Sequence, residues 1–230
     1  MKKSWTKDSH QILEQATNLG NYNRWIVSLF QKHFGKETLE IGSGLGGLSA
    51  FLPKTNITLS DVRGDYFSYL KKHFNHQVIK LNIENIPPKN LHNKFDTIFS
   101  SNVFEHIRND ERALKNCNKL LNKEGMLLLF VPAGPKIYGS IDKAMGHFRR
   151  YTKEELSRKA IGAGFKIIKI KYVNFPGYFS WWLRGKMSSE LRVDSFMASI
   201  FDTLFVPIIK LEKYLSIPFG QSLMLVAQKP

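Results

Sequence analysis

One cysteine in 230 residues, Cys117, is too few for an internal disulfide, and it excludes a structural zinc site built from thiolates. Long apolar runs are missing too. No stretch of about 18 apolar residues occurs, so a spanning helix is not expected. Met1 to His10 lacks the apolar core of a signal peptide. These absences fit a reducing cytoplasm. Acidic side chains are scarce: 19 Asp and Glu stand against 34 Lys and Arg, a net charge of +15. That field favours anionic partners, whether nucleic acid, acidic membrane lipid or a phosphate-bearing substrate, without choosing among them. An ordinary soluble protein from a lysine-rich proteome would show it as well. Internal repeats and low-complexity linkers are also absent, which leaves one elaborated domain as the simplest organisation.

What is present is an alternation of short apolar strands and helices. Gln11 to Phe34 has helical apolar spacing with a break near Gly20, so residues 1–37 read as N-terminal helices and 38–230 as the main domain. Strands are expected at 38–41, 56–61, 78–81, 95–100, 126–131, 166–173 and 222–228. Helices are expected at 45–52, 65–74, 110–121 and from Thr152, where Glu155 completes a capping-box pattern. Met126 to Val131 has no polar alternation, as in a strand buried on both faces. The pace implies an α/β fold: a Rossmann-like, doubly wound, mostly parallel seven-stranded sheet. Residues 133–152 read as a substrate loop. Residues 174–220 read as an aromatic and helical insertion or lid before the last strand. Ligands in such sheets sit beyond the carboxyl ends of the strands, near the switch point.

The residues at those ends carry chemistry. Glu40-Ile41-Gly42-Ser43-Gly44-Leu45-Gly46-Gly47 runs from a strand into glycines. Glycines permit a sharp turn and close approach of a ligand, and N–H groups at a helix start attract anions. Gly42, Gly44 and Gly47 alone also satisfy the weak dinucleotide fingerprint. Asp61 ends the second strand, where a carboxylate can accept ribose hydroxyls. Asn82 ends the third, and Ser101-Asn102-Val103-Phe104-Glu105-His106 follows the fourth.

In these motifs the chain resembles the class I S-adenosylmethionine-dependent methyltransferases. LEIGSGLG, Asp61, LNIENIP, FDTIFSSNVFEHI and EGMLLLFVP stand in that family's order over about residues 38–132. The resemblance implies S-adenosylmethionine as cofactor. Glu40 would orient the glycine loop and meet the methionine ammonium; Gly42, Ser43, Gly44 and Gly46 would line the methionine and ribose. Asp61 and Val62 would hold the ribose, Asn82 and Ile83 the adenine, and Asn102 and Val103 would lie near the sulfonium. Many relatives carry Asp at the position of Asn82. Further on, Gly146-His147-Phe148-Arg149-Arg150-Tyr151 resembles a Gly-His-x-Arg-Arg-Tyr motif of a bacterial and archaeal branch whose members often look cell-envelope or glycan associated.

His106 and His147 are the candidate catalytic bases, because a neutral hydroxyl is a poor nucleophile. His106 would equally serve as a hydrogen-bonded support for its loop. Tyr138, Asp142, Arg149, Arg150 and Tyr151 are candidate substrate contacts, the arginines suiting carboxylate or phosphate; the competing reading is an arginine network that pins the loop to Asp142 or to helix ends. Tyr172, Phe175, Tyr178, Phe179, Trp181 and Trp182 are a sugar-stacking wall or, more commonly, core. The run Phe196, Ile200, Phe201, Leu204, Phe205, Ile208, Leu211, Leu215 has helical spacing. With twelve Lys and Arg against three Asp and Glu between residues 143 and 192, it suits peripheral contact with an anionic membrane, a lid, or a dimer partner. No metal is expected. The expected function is methyl transfer to a hydroxyl of a glycan, lipid-linked or other small-molecule acceptor. An RNA or nucleic-acid methyltransferase, an NAD(P)-dependent oxidoreductase and a non-catalytic binding module are the competing readings. Nucleic acid is disfavoured, since Ser101-Asn102-Val103-Phe104 lacks the Pro-Pro run of base-amine methyltransferases and no RNA-binding module is appended.

Overall fold

In chain order the strands are β1 (Glu37–Ile41), β2 (Asn56–Asp61), β3 (Gln77–Lys80), β4 (Phe95–Ser101), β5 (Leu121–Pro132), β6 (Lys166–Val173) and β7 (Ser222–Gln228). They form one sheet in the order β3-β2-β1-β4-β5-β7-β6. The computed structural model describes residues 14, 17, 19–187, 201–215 and 217–230. β1 to β5 pair in parallel, and β7 lies antiparallel between β5 and β6. The chain winds outward from β1 to β3, then returns to lay β4 on the other side of β1. The reversal opens a crevice at the carboxyl ends of β1 and β4.

The helices are α1 (Gly20–Ser28), α2 (Gly64–His73), α3 (Asp110–Leu120), α4 (Ser140–Met145), α5 (Lys153–Gly162), α6 (Phe175–Met187) and α7 (Val206–Lys210). Because side chains alternate along a strand, β5 feeds both layers of core. Leu127, Leu129 and Val131 pack with Leu114 and Cys117 of α3 and Leu156 and Ala160 of α5. Leu128 and Phe130 pack on the other face with Trp25 and Ile26 of α1, Leu70 of α2, and Val206 and Ile209 of α7. Each such burial contributes roughly 1.5–3 kcal/mol. At the outer edge, β6 carries Lys166, Lys169 and Lys171, charges that discourage further strand pairing. Thr152 caps α5 as expected, its Oγ1 accepting the Glu155 N–H at 3.1 Å.

Two local expectations are corrected. The helix expected at 45–52 is a single 3₁₀ turn, Ser49–Phe51. Gly44 and Gly46 hold φ of +56° and +79°, which no right-handed helix allows, and Pro53 closes the segment. The loop expected at 133–152 contains a 3₁₀ turn (Pro135–Ile137) and α4. Asp142 caps α4 by accepting the Gly139 N–H at 3.0 Å, and Gly146 ends it at φ +81°.

In the insertion, α6 is followed by a π-helical turn (Phe201–Phe205), α7 and a 3₁₀ turn (Leu211–Tyr214). Phe196 and Ile200 of the expected apolar run lie outside the described residues. Val206 and Ile209 enter the core, while Leu204, Leu211 and Leu215 are exposed. Two carboxylates fasten the insertion. Asp202 accepts the backbone N–H groups of Asn21 and Tyr22 at the start of α1. Glu212 accepts those of Asn174 and Phe175 at the start of α6. Each carboxylate satisfies orphan donors at a positive helix end.

Candidate functional site

A cavity of about 430 Å³ opens at the carboxyl ends of β1, β2 and β4. One end is built by the loop after β1. Gly42 sits at φ +73°, and a methyl there would overlap Val103. Asn102, at the end of β4, also holds a left-handed φ of +53°, which Asn tolerates better than most residues. Two strand-end turns are thereby brought against each other.

Four of the loop's N–H groups are already used. Those of Gly42 and Ser43 both donate to the Ser60 carbonyl at 2.9 Å, that of Gly46 to the Ser43 carbonyl, and that of Gly44 to Asp61 Oδ2 at 3.0 Å. An anion would find few donors here, and the walls carry Glu40, Asp61, Glu84 and Glu105. This counts against a pyrophosphate and suits a cation. Glu40 is buried and accepts the Ser49 hydroxyl. Burial pushes its carboxyl up to about 7; bonds from Ser49 and Ser43 oppose that rise, and the neighbouring Asp61 adds to it. A ligand ammonium would relieve the cost of ionising Glu40. Asp61 is likewise pushed up by burial, although the N–H groups of Arg63 and Gly44 hold its two oxygens and favour the charged form. Each oxygen keeps a lone pair for a ribose hydroxyl. Asn82 Oδ1 accepts the Glu84 N–H at 3.0 Å, shaping the turn after β3. Val62 and Ile83 supply apolar wall. The residues present therefore fit an adenosyl sulfonium with an amino-acid tail.

The other end is lined by Glu105, His106, His147, Arg150, Met145 and Trp181. Phe148 N–H donates to the Glu105 carbonyl at 2.8 Å, so the turn after β4 and the segment after α4 are held side by side. His147 Nδ1 meets Asp142 Oδ1 at 2.8 Å, and Arg150 Nε meets the same oxygen at 2.8 Å. Burial raises Asp142, but the bond from His147, the charge of Arg150 and the Gly139 N–H together bring its carboxyl below the ordinary value. Asp142 is thus an ionised acceptor and His147 Nδ1 carries the hydrogen. Arg150 also donates to the Ala133 carbonyl and lies 4.7 Å over the Trp181 ring. Trp181 donates its Nε1–H to Asp142 Oδ2. Burial pushes His106 down to about 3, helped by the charge of His147 and opposed by a backbone bond at Gly146. Glu105 is 0% exposed, and neither carboxylate oxygen has a hydrogen-bond partner. Burial pushes it up to about 7, against the charge of His147.

Not every candidate reaches the cavity. Gly46 does not line it; a methyl there would overlap the Phe74 ring, so the missing side chain serves packing. Of the expected substrate contacts only Arg150 lines the wall. Tyr138 donates to the His147 carbonyl, and Asp142 lies wholly buried behind His147. Arg149 donates to the carbonyls of Ile107 and Arg108 and pairs with Asp110 at 2.9 Å. Tyr151 is buried, its hydroxyl between the Phe104 carbonyl and Asp110 Oδ2. These correct the substrate reading: the polar groups of Tyr138, Arg149 and Tyr151 are turned into the protein, where they pin the loop. Sequence reasoning missed Tyr22, Asn23 and Ile26 of α1, whose helical spacing looks like ordinary core, and Arg63 and Tyr66, which follow Asp61 closely enough to have been found. It also passed over Glu105, beside His106 in a motif already singled out.

Residues 39–127 match the family model of a methyltransferase domain. Among curated proteins, the non-reducing polyketide synthase nvfA of Aspergillus novofumigatus is 30% identical over 132 residues, which is 51% of this chain and 6% of that protein. The chain thus spans a small fraction of the length of the curated relatives it matches. Among solved structures, a SAM-dependent methyltransferase from Thermotoga maritima superposes with a TM-score of 0.66 at 17% identity, covering 97% of this chain and 99% of that one. The trans-methyltransferase CalH, solved with SAH, gives 0.57 at 18% identity, covering 91% and 58%. Residues 39–127 therefore match a methyltransferase domain, in a chain whose fold is that of the solved S-adenosylmethionine-dependent methyltransferases.

Proposed function

We propose that the protein transfers the methyl group of S-adenosylmethionine to a hydroxyl of a glycan, lipid-linked or other small-molecule acceptor. One observation carries this reading: a single cavity joins Glu40 and Asp61 at one end to Glu105, His106, His147 and Arg150 at the other. When bound, the cofactor supplies a sulfonium methyl group that leaves with neutralisation of the positive charge. The chain's part is alignment, worth up to about 7–11 kcal/mol of barrier lowering when geometry is optimal. Gly42 and Val103 set the floor between the two ends. Asp61 holds the nucleoside, and Glu40 the charged tail. Arg150, braced by Asp142 and stacked on Trp181, faces an anionic or polar part of the acceptor. The acceptor hydroxyl must lose its proton, and His106 and His147 stand where they serve that loss.

The insertion supports the lipid-linked end of this range. It exposes Phe179, Trp182, Leu183, Leu204, Leu211 and Leu215, in a chain of net charge +15. Such a surface suits peripheral contact with an anionic membrane. Among the described residues, no helix is long and apolar enough to cross a membrane. Incubation with methyl-labelled S-adenosylmethionine and fractionated cell extract tests the proposal. Label entering lipid or glycan supports it; label confined to RNA or protein overturns it.

A further inference from the structure

Glu105, His106 and His147 offer a carboxylate oxygen and two imidazole nitrogens that all lie within 4.8 Å of one another. The Glu105 Oε1 to His147 Nε2 distance is 3.9 Å, and the two rings meet edge to face at 4.7 Å. We propose that these three side chains bind one divalent transition-metal ion, of the zinc or cobalt class, at the acceptor end of the cavity.

The first support is the buried acid. Glu105 is fully enclosed and neither oxygen accepts a hydrogen bond. A buried carboxylate without a hydrogen-bond partner is costly, and both oxygens of Glu105 keep the capacity to take a cation. The adjacent cation does not fill the need: Arg150 Nε is given to Asp142 and its Nη1 to the Ala133 carbonyl. The second support is the character of the ligand set. Ionised Asp142 accepts from His147 Nδ1, which leaves the other ring nitrogen, Nε2, facing Glu105 Oε1 at 3.9 Å. A cation can draw on the carboxylate and both imidazoles together, because one ligand atom of each lies within 4.8 Å of the others.

The third support is the outer layer. A metal-binding histidine characteristically donates its other nitrogen to a carboxylate or a carbonyl, which fixes ring and tautomer. Asp142 does this for His147. Asp142 is fixed in turn by the Arg150 Nε–H and the Gly139 N–H. The Phe148 N–H bond to the Glu105 carbonyl locks the two segments that bear the ligands. Zinc takes imidazole nitrogen and carboxylate oxygen at about 2.0–2.2 Å, so ligand atoms must close to roughly 3.5 Å, a contraction of about an ångström for side chains alone. Three protein ligands facing a cavity leave a position open, as in catalytic rather than structural sites. Two histidines and one carboxylate favour a borderline transition ion over magnesium or calcium.

The role of such an ion, unlike its binding, rests on the methyl-transfer reading. Beside the acceptor hydroxyl a Lewis acid lowers its pKa. The hydroxyl proton then passes to cavity water, the oxygen pair forms the new O–C bond, and the C–S pair returns to sulfur. His106 and His147 would thus serve deprotonation by holding the cation and not by receiving the proton.

The test uses the full chain stripped with a chelator, titrated with Zn²⁺ by calorimetry and with Co²⁺ by visible absorption, with S-adenosylmethionine binding measured separately. We expect one equivalent to bind, with a cobalt spectrum of low coordination number. Glu105→Gln and His147→Asn should each weaken zinc binding at least about tenfold, and Asp142→Asn about 10–100-fold. Asp61→Ala should leave zinc binding unchanged. Wild-type protein that takes up no stoichiometric metal, or Glu105→Gln protein that binds as well as wild type, overturns the site. X-ray absorption on the zinc-loaded wild type, which needs no variant to fold, should show two imidazoles; an oxygen-only shell overturns the assignment. If the metal fails to bind while S-adenosylmethionine binds and label is transferred, only this inference falls. If the metal binds and S-adenosylmethionine does not, the site stands and the methyl-transfer reading fails.

Discussion

His147 Nδ1 meets Asp142 Oδ1 across 2.8 Å, inside the protein and behind the cavity wall. That one carboxylate also holds Arg150, the Gly139 N–H and the Trp181 Nε1–H. Asp142→Ala should leave a buried guanidinium unpaired, at a cost of about 3–5 kcal/mol. Urea denaturation would measure it. Asp142→Asn keeps the shape but not the charge, and is expected to lower kcat for label transfer while KM for S-adenosylmethionine stays near wild type. A change confined to KM would mean that Asp142 does not act through His147.

Asp61 and His147 should separate binding from chemistry. Asp61→Ala removes the acceptor of the Gly44 and Arg63 N–H groups and the carboxylate assigned to the ribose. Affinity for S-adenosylmethionine should fall about tenfold or more, equivalent to ~1.4 kcal/mol. His147→Ala should leave that affinity nearly intact and slow transfer. Calorimetry and a single-turnover assay distinguish the two.

Glu40 makes stability depend on pH. Its folded carboxyl titrates near 7 against an ordinary 4.5. Below about pH 4.5 the side chain is neutral in both states and costs nothing. Between pH 4.5 and 7 the unfolded chain releases the proton while the folded one keeps it, so stability falls as pH rises. The loss is on the order of 3 kcal/mol once pH exceeds 7. Glu40→Gln should remove its share of this slope and leave that of Glu105, whose carboxyl burial also pushes up to about 7. Bound S-adenosylmethionine should restore part of the lost stability above pH 7, because its ammonium stabilises the charged form. Denaturation midpoints from pH 4.5 to 8.5, with and without cofactor, check both signs.

Arg149 and Tyr151 should behave as structural residues. Tyr151→Phe loses the bonds to Asp110 and the Phe104 carbonyl, at a cost of about 1–2 kcal/mol. Acceptor KM should not move. An acceptor KM that rises with unchanged stability would return Tyr151 to the substrate site.

Gly46→Ala tests the glycine loop. The added methyl meets Phe74 and the backbone stays at φ +79°, so a stability loss of about 2 kcal/mol is expected. Gly46→Ala with Phe74→Leu should recover the packing part of the loss. Recovery of none would place the cost in the backbone alone.

Strand limits were legible because apolar alternation and turn residues act over a few positions. β2, β6 and β7 fall where the pattern puts them, and unbroken apolarity in 126–131 announced burial on both faces of β5. The cavity residues Glu40, Gly42, Asp61, Asn82 and Asn102 were legible for a related reason: in a parallel sheet every strand ends on the same side, so strand-end residues must share one rim. The 3₁₀ turn at Ser49–Phe51 was not legible, because two positive-φ glycines overrode the helical spacing of 45–52.

What local pattern determined, then, is the order of strands and the set of side chains presented at their tips. Only tertiary structure decided which polar groups in 138–151 face the cavity and which face inward. Arg150 lines the wall while its neighbours Arg149 and Tyr151 pair with Asp110, about forty residues earlier in the chain. No spacing rule reaches that far. The buried, unpartnered state of Glu105 is likewise a property of the segment folded over it after α4, not of its own neighbours in sequence. Burial and pairing depend on what the rest of the chain brings to a site, and that is settled only when the sheet and its insertion close together.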